Sequence, residues 1–128
     1  MNIHQSSEDY LEMILMLREQ KGEVRSIDIA TGLSVSKPSV SVAMKHLRED
    51  GYIIMNEDNR IILTEKGMEV ASRVYRRHKT LTRFLVQLGV GEDVAREDAC
   101  KIEHDISPET FEAILKHVSA AEEQAQEQ

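Results

Sequence analysis

The stretch 26–67, SIDIATGLSVSKPSVSVAMKHLREDGYIIMNEDNRIILTEKG, decides the fold. At its centre Ser36 reads as a helix N-cap, and Pro38 sits in the first turn, where a missing amide costs little. Val40, Ala43, Met44 and Leu47 then recur at the three- and four-residue steps of one apolar helical stripe, and Gly51 closes the segment. Upstream, Ile27, Ala30 and Thr31 follow Ser26 as a short helix ahead of Gly32, with Leu33, Ser34 and Val35 as a tight connection. Downstream, Tyr52 to Met55 and Arg60 to Leu63 are β-prone runs separated by the polar Asn56, Glu57, Asp58 and Asn59, a hairpin pattern. Short helix, turn, capped helix and hairpin in this order predict a winged helix-turn-helix whose capped helix enters the major groove of double-stranded DNA.

Working outward, Ser6 or Ser7 followed by Glu8 and Asp9 marks a helix start, and Tyr10, Ile14 and Leu17 carry that helix over about residues 7 to 20, where Gly22 stops it. Thr64 caps a long helix through Val70, Val74, Leu81, Phe84, Leu85 and Leu88 that ends near Gly89 and Gly91. A further helix is expected over about 92 to 105. Ser107 and Pro108 then open a last one, striped by Phe111, Ile114, Leu115 and Val118. The closing AAEEQAQEQ holds too little apolar content to be held by packing and is expected to be mobile. The fold class is therefore mainly α with a small β-hairpin: residues 1–63 form the winged helix-turn-helix and 64–128 a helical C-terminal region.

The 128 residues suffice for one core without staples, and a single Cys excludes an internal disulfide. No apolar run approaches the ~20 residues of a membrane span, and the start MNIHQSSEDY lacks the basic and apolar regions of a signal peptide, so a cytoplasmic protein without a membrane partner is expected. A net charge of -7 argues at first against nucleic acid. Its distribution reverses the argument: residues 25–48 carry +3, 64–91 carry +4 and 92–128 carry -8. Phosphates respond to nearby charge, over a Debye length of roughly 8 Å at physiological salt. With the apolar stripe turned inward, Lys37, Pro38, Ser39, Ser41, Val42 and Lys45 are left on the outer face, joined by His46, with no acid among them. Cations, hydroxyls and one apolar contact suit phosphates and base edges. The bases of the 64–91 stretch, Lys66, Arg73, Arg76, Arg77, Lys79 and Arg83, read as a solvated face with some reach toward phosphates.

Cys100, Glu103 and His104 stand at i, i+3 and i+4 of one expected helix, so thiolate, carboxylate and imidazole project toward a common point. Asp9 and Glu12 stand at i, i+3 on the first helix, and His78 lies among basic neighbours on the long one. Each alone has a bland reading as a solvated or capping side chain, and a lone Cys is commonly a small buried hydrophobe. The only Cys within one turn of both a Glu and a His points to a metal.

These motifs together, SSEDYLE, SVSKPSVSVAMKHLREDGYI, LTEKG, RRHKTL and CKIEHDIS in that order, resemble the diphtheria-toxin-repressor family from about Ser6 to Ser107. The resemblance is strongest to its short manganese-sensing branch, without the SH3-like domain of the longer iron sensors. It implies a homodimeric transcriptional repressor activated by a divalent metal, Mn(II) or Fe(II), with a C-terminal metal-binding and dimerisation region. Asp9, Glu12, His78, Glu103 and His104 match ligands of the manganese branch. Cys100 departs, standing where that branch has a bridging glutamate; the iron branch has cysteine there but methionine at the position of Asp9. A thiolate favours Fe(II), and Co(II) or Zn(II) in vitro, over Mn(II). Thr82 and Arg96 replace the glutamate and histidine of the iron sensors' ancillary site. The expectation is one strong site of Asp9, Cys100, Glu103 and His104, with Glu12 and His78 supporting a second. The alternatives are a metal-independent winged-helix regulator, a small metalloenzyme and a metal buffer; no substrate-positioning glycine loop or separate acid/base pair favours the enzyme.

Overall fold

The computed structural model describes residues 5–127, with side chains described for 6–124. Six helices and one hairpin follow in order: α1 (Gln5–Lys21), α2 (Ser26–Leu33), α3 (Lys37–Glu49), β1 (Ile53–Met55), β2 (Ile61–Leu63), α4 (Glu65–Gln87), α5 (Glu92–Ile102) and α6 (Pro108–Glu127). They form two units, the first ending at Tyr75 and the second beginning at Arg76, so α4 contributes to both.

The first unit is built around α3. Ser36 caps it as expected, its hydroxyl accepting from the Ser39 amide at 3.3 Å, with Pro38 in the first turn. Val40, Met44 and Leu47 are buried, each contributing about 1.5–3 kcal/mol of burial. They join Leu11 and Ile14 of α1, Ile29 of α2 and Ile53 and Ile61 of the hairpin in one core. The strands pair antiparallel in the register Ile53 with Leu63, Ile54 with Ile62 and Met55 with Ile61. Period-two alternation buries Ile53, Ile61 and Leu63 while turning Ile54 and Ile62 to solvent. At the wing tip the Asn56 carboxamide oxygen accepts from the amides of Asp58 and Arg60, closing an Asx-type turn, and Asn59 takes a φ of 60°.

Two glycines act through close approach rather than as punctuation. Gly32 lies inside α2, and a Cβ there would stand 2.8 Å from Met13 Sδ, so the glycine lets α2 sit close against α1. The left-handed residue ending α2 is instead Ser34, at φ 56°. Gly67 lies in the first turn of α4, where a Cβ would fall 1.9 Å from the Tyr52 carbonyl oxygen. Thr64 caps α4: its hydroxyl accepts from the Gly67 amide at 3.1 Å and donates to the Gly51 carbonyl at 2.6 Å. The α1 helix already includes Gln5, so Ser6 and Ser7 lie within it rather than at its cap.

In the second unit Leu81, Ala95, Ala99, Phe111 and Val118 are buried, while Val86, Leu88 and Val94 stay exposed. Phe84 of α4 meets His117 of α6 edge to face, with ring centroids 5.9 Å apart. Ser107 caps α6, accepting from the Thr110 amide at 3.1 Å. The expected mobile tail is helical to Glu127; Ala, Glu and Gln are strong helix formers, and their propensity extends α6 beyond its packed stripe.

Candidate metal centre

The C-terminal part of α4 carries His78, and the end of α5 carries Cys100, with Glu103 just beyond it. The α5 helix stops at Ile102, earlier than the expected 105, and residues 103–105 form a turn closed by the Asp105 amide on the Ile102 carbonyl at 3.1 Å. Glu103 still holds helical backbone angles, and its amide bonds to the Ala99 carbonyl at 3.0 Å, so it keeps the place next to Cys100 that the i, i+3 spacing predicts. Glu103 is 1% exposed, and its Oε2 lies 3.1 Å from His78 Nδ1. A ring nitrogen of His78, the Sγ of Cys100 and a carboxylate oxygen of Glu103 lie within 4.8 Å of one another. That spacing suits donors to one ion. The Nε2 of His104 lies 3.3 Å from Glu103 Oε1, beside this group. Thus His78, expected at a second site, stands with Cys100 and Glu103, and His104 stands next to the carboxylate.

An imidazole, a thiolate and a carboxylate make a mixed donor set of the kind that holds divalent transition metals. Burying a carboxylate carries a large desolvation cost, which a bound cation helps to offset. The residues fit such an ion. On α1, Asp9 is half-buried and Glu12 is 6% exposed, one turn apart. Where the iron sensors' ancillary ligands would stand, Thr82 donates its hydroxyl to the His78 carbonyl at 2.8 Å and Arg96 pairs with Glu92.

The residues expected to face DNA lie along α3. Lys37, Pro38, Ser39, Ser41, Val42 and Lys45 are all exposed along α3, and Val42 exposes 57% of its surface. Ser39 Oγ also meets Ser36 Oγ at 2.8 Å, which ties it to the cap. The wing tip offers Glu57 and Asp58, while Arg60 at its base is engaged by Glu23 at 2.9 Å. One residue that the sequence reading assigned to a solvated basic face is turned inward: Arg77 donates to the carbonyls of Glu103 and Ile106. No sequence signal distinguishes it from Arg76.

A DNA-reading head in one unit and a metal-competent cluster in the other define a class, the metal-dependent DNA-binding transcriptional regulators. Residues 2–60 match the family model of the iron dependent repressor N-terminal DNA binding domain, and residues 64–127 match that of the iron dependent repressor metal binding and dimerisation domain. The chain belongs to the iron-dependent repressor family, which is one of regulators and not of enzymes. It is 38% identical over 119 residues to the transcriptional regulator MntR of Salmonella typhimurium, covering 90% of this chain and 76% of that one. It is also 38% identical over 118 residues to the HTH-type transcriptional regulator MntR of Bacillus subtilis, covering 92% and 83%. Among solved structures, the manganese regulator SloR superposes with a TM-score of 0.78 at 32% identity, and IdeR of T. acidophilum with 0.80 at 28%. Both alignments cover 93% of this chain but 55% of the solved one, so the chain spans about half their length. Among the described residues no helix is long and apolar enough to cross a membrane.

Proposed function

We propose that this chain is a cytoplasmic, homodimeric repressor of metal-uptake genes, activated by Mn(II) or Fe(II). The observation that carries the reading is the convergence of His78, Cys100 and Glu103 within 4.8 Å. On this reading His104 joins them at the ion. Asp9 and Glu12, spaced one turn apart on α1, are the ligands contributed by the helix that precedes the DNA-reading unit. Lys37 and Lys45 bind phosphates, Ser39 and Ser41 hydrogen-bond phosphates or bases, Val42 meets a thymine methyl, and Pro38 fixes the first turn of α3. Exposed Val86, Leu88 and Val94 provide apolar surface for a second copy.

The bound ion supplies a fixed positive charge and a cross-link among elements otherwise held by packing. Cys100 tilts the choice between the two metals toward Fe(II), because thiolate is the softer donor. The manganese relatives named above support Mn(II), and Co(II) or Zn(II) serve as in vitro substitutes. Metal favours the arrangement in which two recognition helices lie about one DNA turn, ~34 Å, apart. By linkage, DNA then tightens metal binding by the same factor.

Anaerobic selection of duplexes from a random pool tests the function. Retention of specific DNA with Mn(II) or Fe(II), and its loss in chelator, is expected; equal retention in both contradicts the switch. Replacing Cys100→Glu is expected to move the metal ranking toward Mn(II), and an unchanged ranking removes Cys100 from the ion.

A further inference from the structure

We infer that Arg77 is a positioning residue of the metal centre, holding the turn that presents Glu103 and His104; the inference rests on the metal reading above. Arg77 immediately precedes His78 on α4. Its Nη1 donates to the Glu103 carbonyl at 3.1 Å and to the Ile106 carbonyl at 3.5 Å. Its guanidinium carbon lies 5.2 Å from the centroid of Phe111, whose side chain is buried at the start of α6. One side chain thus grips both ends of the connection between α5 and α6.

The physical need for this grip follows from how α5 ends. The last carbonyls of a helix have no partner within it and carry the negative end of its dipole. A side chain that is cationic, planar and multiply donating satisfies them while staying charged at every working pH. Phe111 adds a cation–π seat that limits where the guanidinium can sit. Because the grip is on the Glu103 backbone, it sets where the Glu103 carboxylate meets His78, whose own position is set one residue along α4. Arg77 therefore couples two donors from different helices without touching the ion.

Co(II) titration of the full chain, read by visible absorption, together with Mn(II) affinity by competition against a chromophoric chelator, tests this. The Arg77→Met variant is expected to bind both metals ~10–100-fold more weakly, the range seen when an outer partner of a metal ligand is lost, with an altered Co(II) band pattern. The Arg77→Lys variant keeps the charge but lacks the fork, and is expected to recover part of the affinity. Phe111→Leu leaves both hydrogen bonds and keeps the inference testable should Arg77→Met not fold; a smaller loss in the same direction is expected. Arg83→Met, which removes an exposed pair with Glu122 on the same helix, serves as the control and is expected to bind as the parent does.

Parent-like affinity and spectrum in Arg77→Met, or an unchanged site in Phe111→Leu where Arg77→Met fails to fold, overturn the inference alone. An equal loss in Arg83→Met does so too, since the effect would then be general destabilisation. No Co(II) binding by the unaltered chain overturns the metal reading and this inference with it.

Discussion

His78 and Glu103 are twenty-five positions apart, yet His78 Nδ1 and Glu103 Oε2 lie 3.1 Å from each other. The contact joins the C-terminal half of α4 to the residue just beyond α5, with the Glu103 side chain withdrawn from solvent. Glu103→Gln keeps the shape and removes the charge. Its metal affinity is expected to fall by on the order of 100-fold or more, beyond what loss of an outer partner causes. Competition against a chromophoric chelator measures it, and an affinity within about threefold of the parent refutes the ligand role.

The two close-packed glycines are expected to respond differently to the same change. Gly32→Ala gains about 1 kcal/mol of helix propensity and meets only the flexible end of Met13, so its melting temperature is expected to stay near that of the parent. Gly67→Ala drives a methyl into the Tyr52 backbone carbonyl, which cannot move without shifting the hairpin. A loss of about 3 kcal/mol or more is expected there. Thermal unfolding of both variants decides, and equal behaviour contradicts the packing account.

Asp28 is held below the usual carboxylate range, first by a hydrogen bond from Lys21 and then by the Arg25 amide. Because its folded-state pKa is lowered, its stabilising contribution is present above the unfolded pKa. That contribution is lost as pH falls through the folded value. Asp28→Asn is expected to cost about 0.5–1 kcal/mol at neutral pH, the gap closing in acid. Denaturant midpoints across that range provide the measurement; a gap that widens on acidification has the wrong sign.

Lys37 and Lys45 are assigned to phosphates, which carry no sequence information. Replacing either by Gln is expected to weaken all duplexes alike and to reduce the slope of log affinity against log salt by ~0.9. Val42→Ser is instead expected to change base preference with the slope intact. Affinities measured over a salt series separate these behaviours.

Much of the fold was legible in the residues themselves. Ser36, Thr64 and Ser107 act as caps where a hydroxyl precedes an apolar stripe, and the hairpin runs match the strands within one residue. Local chemistry determines those features, so a local reading reaches them. What escaped depends on tertiary approach. Gly32 reads as a terminator but serves close packing within α2. Arg77 reaches the carbonyls of Glu103 and Ile106 from another helix, yet it reads like any other base of its run. Of the candidate ligands, His78, Cys100 and Glu103 were singled out in the sequence by residue type, and the structure brings these three together. Their grouping was not legible, because His78 comes from α4 and helical spacing relates only residues of one helix.

The central claim is that metal at the His78, Cys100 and Glu103 cluster controls DNA binding. It is tested most directly by the dissociation constant for a selected duplex, measured anaerobically at one salt concentration, with Mn(II) or Fe(II) and then with chelator. A tightening of ~100-fold on metal addition, equivalent to roughly 2.7 kcal/mol of coupling, is expected. Its abolition in Glu103→Gln is expected as well. Equal dissociation constants with and without metal would contradict the account.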